Sequence, residues 1–223
     1  MAQARVKASE LQRVDRIVKI LEREYPDAKC SLDFKSPFEL ICATILSAQC
    51  TDVRVNLVTP ELFKRFPTPE AMAKARLPEL EKLIRTTGFF RAKAKSLKEC
   101  ATSIVEKHDG QVPRTMEELV HLRGVGRKTA NVVLGNAFGL PGLPVDTHVT
   151  RVSHRLGLTK NKDAVKIEYD LHRYLKPEDW CQFSHLLIFH GRAICVARKP
   201  LCEECAIRAY CPRIGVAGAA KAG

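Results

Sequence analysis

The sequence predicts an all-α protein, and two kinds of observation support this. Apolar residues recur at helical spacing along most of the chain, beginning with Leu11, Val14, Ile17, Val18 and Leu21. Helix-capping patterns precede such segments at Ser9-x-x-Gln12, Ser36-x-x-Glu39 and Thr115-x-x-Glu118. Nearly every segment is therefore expected to be a helix, with turns at the glycines and prolines between them.

The helices can be predicted in chain order. The first ends at Pro26, and the second, which opens at Ser36, is apolar on almost every side and should be central and buried. Short helices follow with Pro60, Pro69 and Pro78 near their starts, and Gly88 is predicted to be a C-cap. Later helices are predicted to begin at Asp146 and to cover residues 163–175 and 178–194. The tail after Pro212 is expected to be disordered.

The composition limits the classes of function. The chain has 223 residues and a formal net charge of +12, which suits a polyanionic partner. No stretch approaches the roughly 20 apolar residues of a membrane span, and the first residues lack the apolar core of a signal peptide. We therefore expect a cytoplasmic protein without a membrane partner, associated with the nucleoid if it is bacterial. In that reducing compartment, clustered cysteines indicate a metal.

A glycine-rich turn within residues 121–131 is the most informative stretch. Gly124 and Gly126 permit a tight turn and a close approach of the backbone to a ligand. A helical pattern follows at once, so the turn ends at a helix N-terminus, which favours an anion such as phosphate. Lys128 lies in the first turn of that helix, where the dipole opposes a positive charge and favours the neutral, nucleophilic amine. Taken alone, an ordinary turn with a solvated lysine is equally compatible.

Asp146, in Val145-Asp146-Thr147-His148, opens the next helical pattern. Aspartate is well suited to a structural N-cap. A catalytic role is compatible with capping if only one carboxylate oxygen caps the helix. His185 and His190, on or after the last apolar helix, are interpreted as structural.

Four cysteines lie close together in the sequence, in the pattern Cys195-x6-Cys202-x2-Cys205-x5-Cys211. Four thiolates can close a tetrahedral zinc site or hold a [4Fe–4S] cube. Zinc ligands usually come in closely spaced pairs, whereas only the central pair here has a two-residue gap. The wide spacers favour the bulkier cluster without excluding zinc.

Phe89 and Phe90 precede a basic stripe formed by Arg91, Lys95 and Lys98 on one helical face. A charge run is usually a solvated face, and either phenylalanine is equally compatible with the core. An aromatic pair beside a basic stripe is also what a loop that wedges into a duplex would contain.

The glycine-rich turn with Lys128, the Val-Asp146-Thr-His148 segment and the cysteine run together resemble the endonuclease III family. These are helix-hairpin-helix base-excision glycosylases with an iron–sulfur cluster. The resemblance covers about residues 31–211, and the three motifs in this order are highly specific. It implies two helical lobes with a DNA-binding cleft between them. Residues 30–140 would form a six-helix lobe, and residues 1–29 with 141–223 would form the cluster lobe.

The resemblance also implies roles for individual residues. Lys128 and Asp146 would be catalytic, and Cys195, Cys202, Cys205 and Cys211 would hold a [4Fe–4S] cluster. Asp52 and His148 would line the base pocket. Contacts to DNA are expected from Gln49, Phe89, Leu122, Arg123, Gly124, Gly126, Arg127, Arg198 and Lys199. Gln49 would fill the gap left by the extruded base. Phe89 stands where the family often has leucine, and Arg123 stands where it usually has proline.

The implied function is a bifunctional DNA glycosylase and abasic-site lyase. As a monomer, it would remove oxidised pyrimidines from double-stranded DNA through a lysine Schiff base and nick abasic sites by β-elimination. One alternative is a monofunctional glycosylase, against which Lys128 argues. The other is a non-catalytic or narrowed-specificity helix-hairpin-helix DNA-binding protein with a structural cluster, which would need neither Lys128 nor Asp146.

Overall fold

The computed structural model describes residues 6–216, and every regular element within that range is helical. The all-α prediction is therefore confirmed. The α-helices are α1 (Ala8–Glu24), α2 (Pro37–Ser47), α3 (Asp52–Arg65), α4 (Pro69–Lys74), α5 (Leu77–Ile84), α6 (Phe90–His108), α7 (Met116–Leu119), α8 (Arg127–Ala137), α9 (Thr147–Arg155), α10 (Ala164–His172) and α11 (Trp180–Ala193). Short 3-10 turns cover Arg85–Thr87, Pro177–Asp179 and Arg208–Tyr210.

The chain forms two compact units. The first is Cys30–Gly142, and the second combines the chain up to Lys29 with the chain from Leu143 onward. The first unit contains the glycine-rich turn and Lys128, and the second contains Asp146 and the four clustered cysteines.

Helix α2 is the centre of the first unit. Its side chains are buried on nearly every side, at Phe38, Leu40, Ile41, Cys42, Ala43, Ile45 and Leu46. Ser36 caps it by accepting a hydrogen bond from the Glu39 amide at 3.2 Å, and proline occupies the first turn as predicted. The helix packs against α3, α6 and α8. It therefore connects the segments on which the candidate residues of this unit lie.

In the second unit, α11 packs against both α1 and α9. The core contains Ile17 and Leu21 from α1, Val149 and Val152 from α9, and Phe183 from α11. Asp163 caps α10 by accepting from the Lys166 amide at 2.9 Å. Helices α10 and α11 lie within the predicted ranges 163–175 and 178–194 and are somewhat shorter than predicted.

Two local predictions are wrong. Helix α1 begins at Ala8 after Lys7, so Ser9 lies inside the helix and is not its cap. Arg13, in the second turn, anchors the helix through its guanidinium, which bonds the Leu156 and Tyr210 carbonyls at 3.1 and 2.8 Å. Pro60 lies inside α3 and not at a helix start.

The proline is tolerated because α3 buries one continuous face on both sides of it. Val55, Thr59 and Leu62 form that face, and packing outweighs the single backbone bond that the proline cannot make.

The part of the chain after Pro212 is only partly covered. Residues up to Val216 are placed, and the Ile214 amide bonds the Arg155 carbonyl at 3.1 Å, so disorder does not begin at Pro212. The expectation of disorder for residues 217–223 lies outside the described residues. Within the described range, none of the helices combines the length and apolar character that a bilayer crossing requires.

Candidate functional site

Apolar side chains anchor the glycine-rich turn to the core of the first unit. Leu119, Leu122 and Val125 are all buried in the core of the first unit. Leu122 is only 2% exposed, so its side chain is not available to DNA, and the expected contact is restricted to its backbone. Thr115 caps the preceding helix α7 by accepting from the Glu118 amide at 3.2 Å. The hairpin is therefore held in position by these buried side chains and by the cap of the preceding helix.

The two glycines of the turn are there for different reasons. Gly124 has a φ of 78°, and a Cβ there would lie 3.2 Å from the Ser96 Cβ, so both conformation and packing require glycine. Gly126 has a φ of −92°, which any residue adopts, and a Cβ there would meet nothing within 4 Å. Neither a positive φ nor packing requires glycine at position 126. Glycine is favoured at a helix N-cap, and it also lets a ligand approach the backbone closely.

Gly126 is also the N-cap of α8, and no side chain caps this helix. The backbone N–H groups of a first helical turn have no partner within the helix. Lys128 is the second residue of α8 and its side chain is exposed. The turn thus presents an amine beside N–H groups that can bind an anion.

Arg123 is also exposed, but its charge is partly compensated. Its Nε lies 3.2 Å from Glu99, and Lys95 lies 3.7 Å from the other oxygen of the same carboxylate. Arg123, at the position where the family usually has proline, therefore adds a cation to the turn, and Glu99 already compensates part of its charge.

Asp146 is the N-cap of α9. Its Oδ1 accepts hydrogen bonds from the amides of His148 and Val149, both at 2.8 Å. Both bonds end on the same oxygen, so the other oxygen takes no part in capping. This is the arrangement in which capping and catalysis are compatible.

His148 is oriented by Arg151. The guanidinium donates to Nδ1 at 3.1 Å and also bonds the Gly191 and Cys195 carbonyls at 2.9 and 3.1 Å. Because arginine only donates, Nδ1 accepts, and the ring proton is assigned to Nε2. Burial lowers the pKa of His148, and the nearby Arg151 and Arg192 lower it further against the opposing effect of Asp146. The bond from Arg151 and the lowered pKa of His148 both favour the neutral ring.

Gln49 and Phe89 share an uncommon backbone conformation. Their φ angles are 52° and 47°, in the left-handed region that non-glycine residues seldom adopt. Both side chains are exposed, that of Phe89 by 68%. Such residues concentrate at functional positions, where the surrounding structure holds them in place. Asp52, the first residue of α3, follows Gln49 on the same loop and is half-buried.

The side chains of the two neighbouring phenylalanines have different surroundings. Phe90 packs against the core of the first unit, whereas Phe89 points to solvent. The basic stripe that follows is less available than predicted, because the Lys98 amine bonds the Ala75 carbonyl at 2.8 Å. Arg91 lies over the Phe90 ring at 5.5 Å.

The four clustered cysteines line one cavity in the second unit, and much of the remaining lining is apolar. Burial raises the pKa of Cys205 to about 11, and the charges of the other three cysteines raise it too. Four thiolates in one cavity need a positively charged centre to offset that cost. The donor set and the cavity therefore fit a metal cluster.

Sequence reasoning missed Arg155, which holds the loop between Cys195 and Cys202. Its guanidinium bonds the carbonyls of Cys195, Val196 and Ala197 at 3.3, 2.8 and 2.9 Å and approaches the Cys195 sulfur at 3.3 Å. It is only 9% exposed. The one signal in the sequence is an arginine on the apolar side of α9. The loop's own Arg198 and Lys199 are exposed, and Lys199 has a φ of 52°.

His190 also contacts this cavity. Its Nδ1 lies 3.1 Å from the Tyr25 hydroxyl and its Nε2 lies 3.6 Å from the Cys205 sulfur. Burial lowers the pKa of His190 to about 4. The interpretation of His190 as a buried structural residue agrees with this position.

Comparison with known proteins matches the glycine-rich turn and the cysteine loop to families of DNA repair proteins. Residues 42–177 match the HhH-GPD superfamily of base excision DNA repair proteins, and residues 195–211 match the iron–sulfur binding domain of endonuclease III. Endonuclease III of Synechocystis sp. is 56% identical over 206 residues, which cover 92% of this chain and 94% of that protein. The chain therefore belongs to the endonuclease III family and carries a [4Fe–4S] cluster.

Solved structures agree with this assignment. A non-covalent endonuclease III–DNA complex is 41% identical with a TM-score of 0.85, covering 91% of this chain and 95% of that one. A trapped endonuclease III–DNA covalent intermediate is also 41% identical with a TM-score of 0.85, covering 91% and 96%.

Proposed function

We propose that this chain is a bifunctional DNA glycosylase and abasic-site lyase of base excision repair that acts on oxidised pyrimidines. The exposed amine of Lys128, in the first turn of the uncapped helix α8, is the observation that carries the proposal. The chain belongs to a family in which a member has been trapped covalently on DNA.

The DNA is bound before any chemistry occurs. The backbone amides of the turn at Gly124 and Gly126 bind a phosphate, and the exposed Arg198 and Lys199 bind another part of the backbone. A base inside a duplex is out of reach of any side chain, so the damaged nucleotide is rotated out of the stack. Gln49 and Phe89, both exposed, occupy the space that it leaves.

The extruded base is recognised by polar groups. We assign base recognition to Asp52 and to His148, whose Nε2–H is a fixed donor that suits a pyrimidine carbonyl oxygen. Arg151 acts on this step through His148 by holding the ring in one tautomer.

Base release breaks the N-glycosidic bond, and positive charge builds up on the sugar as it does. The Asp146 oxygen that does not cap α9 stabilises this charge. The Lys128 amine, in its unprotonated form, forms a bond to C1′ and loses a proton to solvent, and the base leaves with the bonding electron pair and gains a proton. Opening of the sugar ring then converts the adduct to a Schiff base.

The strand is cut by the same adduct. The iminium makes the C2′ proton acidic, and its removal expels the 3′ phosphate by β-elimination. Hydrolysis of the Schiff base returns the Lys128 amine.

Cys195, Cys202, Cys205 and Cys211 hold the [4Fe–4S] cluster, which supplies structure to the loop and not chemistry at the sugar. With Arg155, the four ligands fix the loop that presents Arg198 and Lys199. We place the protein in the cytoplasm, where it acts on chromosomal DNA as a monomer.

A set of duplexes that differ in one base tests the substrate class. The protein should release and nick at an oxidised pyrimidine, and it should nick a preformed abasic site, while an undamaged duplex stays intact. Lys128→Ala should lose both nicks and keep binding. Nicking at the abasic site alone would overturn the assignment to oxidised pyrimidines, and no nick on either duplex would overturn the lyase.

A further inference from the structure

Lys93 is a buried lysine without an acidic partner. It lies in the first turns of α6 and is only 5% exposed. Among the described residues, no carboxylate forms an ion pair with it; its amine instead donates to two backbone carbonyls, Leu46 at 2.8 Å and Thr87 at 2.7 Å. Burial lowers the pKa of Lys93. A buried cation is costly to retain, so an apolar residue would be expected here if only packing mattered.

The two carbonyls belong to the two segments that contain Gln49 and Phe89. Leu46 lies in the last turn of α2, three residues before Gln49. Thr87 ends the short helix Arg85–Thr87, two residues before Phe89. The Lys93 backbone amide bonds the Phe89 carbonyl as well, at 3.0 Å. One residue therefore binds both loops just before each turns into the left-handed conformation.

We infer that Lys93 is a positioning residue that fixes Gln49 and Phe89 relative to each other, so that they enter the duplex as one unit. This inference rests on the proposed function and deepens it. Two exposed side chains on loops that nothing joined would each have to be ordered when DNA binds. Joining their backbones through a buried amine orders them in advance and lowers that cost.

Extrusion of the damaged base should depend on this contact more than the lyase step does, since an abasic site has no base to extrude. Lys93→Met keeps the length of the side chain and removes the charge. We expect it to slow single-turnover base release by roughly 10- to 100-fold, as expected for a displacement of about 1 Å at the site. Nicking of a preformed abasic duplex should change much less.

Lys98→Met is the matched control. Lys98 lies on the same helix, and its amine also bonds a backbone carbonyl, that of Ala75 at 2.8 Å, which belongs to neither loop. Its loss should leave base release unchanged. Lys93→Arg, which keeps the cation and its donors, should recover most of the activity that Lys93→Met loses, and thermal unfolding of each variant reports general damage separately.

A double-mutant cycle tests the mechanism without relying on turnover. Extrusion is measured by the fluorescence of 2-aminopurine placed next to the damaged nucleotide, in a Lys128→Ala background that cannot form the Schiff base. With Lys93 present, Gln49→Ala and Phe89→Ala should be non-additive, and Lys93→Met should have no further effect once both are alanine. Additive loss from Gln49→Ala and Phe89→Ala would overturn the inference even if no Lys93 variant folds.

The outcomes also separate this inference from the proposed function. If the unmutated protein extrudes the base in a Lys93-dependent way but never nicks, the lyase proposal fails and the positioning role stands. If it nicks normally and Lys93→Met behaves like Lys98→Met, the positioning role fails and the proposed function stands.

Discussion

At the residue scale, Asp146 shows how one side chain can cap a helix and stay available for chemistry. Its Oδ1 accepts from both amides of the α9 cap, so the second oxygen takes no part in capping and is left for the role proposed at the sugar. The sequence predicts the cap from the position of the aspartate before a helical pattern. It does not predict that both cap bonds fall on one oxygen, because that depends on the side-chain rotamer.

Asp146→Asn separates the two roles. Asparagine caps a helix about as well as aspartate, so the thermal unfolding temperature should stay nearly unchanged. Base release should slow by about 100-fold or more, because the negative charge beside the developing cation is lost. Single-turnover base release and a melting curve measure the two effects. Unchanged base release would reduce Asp146 to a structural cap.

Neighbouring residues of the same type set a limit to prediction at this scale. Phe89 and Phe90 are chemically identical, and the sequence leaves both compatible with the core or the surface. The left-handed backbone at Phe89 turns its side chain to solvent, while Phe90 begins α6 and packs inward. The burial of Lys93 has no sequence signal either, since nothing in the sequence shows that two carbonyls converge on its amine.

At the scale of elements, the helix termini were predictable where the capping is local. Ser36 and Thr115 cap their helices as their spacing indicates. Ser9 does not, because α1 is fixed by hydrogen bonds from Arg13 to carbonyls far along the chain. Local rules fail where tertiary contacts decide which residue begins the helix.

The two glycines of the turn before α8 should respond differently to alanine. Gly124→Ala places a Cβ 3.2 Å from Ser96 at a positive φ, so it should lower the stability of the fold by about 1 kcal/mol or more. Gly126→Ala meets no atom within 4 Å, and the fold should lose little stability. Its methyl group would stand where the phosphate approaches, so affinity for a duplex with a stable abasic analogue should fall.

Binding titrations and thermal unfolding distinguish the two variants. If Gly126→Ala binds the duplex as tightly as the unmutated protein, the backbone of the turn does not contact the phosphate closely.

The loop that holds the cluster gives a second prediction at this scale. Arg155→Met removes three hydrogen bonds to loop carbonyls, and the visible absorption of the cluster should be lost faster on heating with a chelator. Arg76→Met is the control, because the exposed Arg76 forms a surface ion pair with Glu79 and does not line the cysteine cavity. Equal rates of loss for the two variants would show that Arg155 does not hold the loop.

At the scale of the whole molecule, a net charge of +12 and an all-helical fold were both readable from the sequence. The proposal that Lys128 and Asp146 are the catalytic pair comes from the resemblance, since the two residues are far apart in the chain and each has an ordinary structural explanation. The roles of Arg151 beside His148, of Arg155 at the cysteine loop and of Lys93 at two backbone carbonyls could not be predicted. Their function depends on backbone carbonyls, which carry no signal in the sequence.

The charge distribution can be tested through the salt dependence of binding. Replacing both Arg198 and Lys199 with alanine should reduce the slope of log affinity against log salt by about 2, one for each lost phosphate contact. Affinity should fall equally for damaged and undamaged duplexes. An unchanged slope would mean that the exposed cations of the cluster loop do not contact the DNA backbone.

The central claim is that Lys128 forms a Schiff base with the sugar of a damaged nucleotide. Borohydride reduction during turnover on a duplex with one oxidised pyrimidine tests it most directly. The account predicts a covalent protein–DNA product whose peptide map places the sugar on Lys128, and no such product with Lys128→Ala. A product that persists in Lys128→Ala, or base release that leaves nothing to trap, would contradict the mechanism.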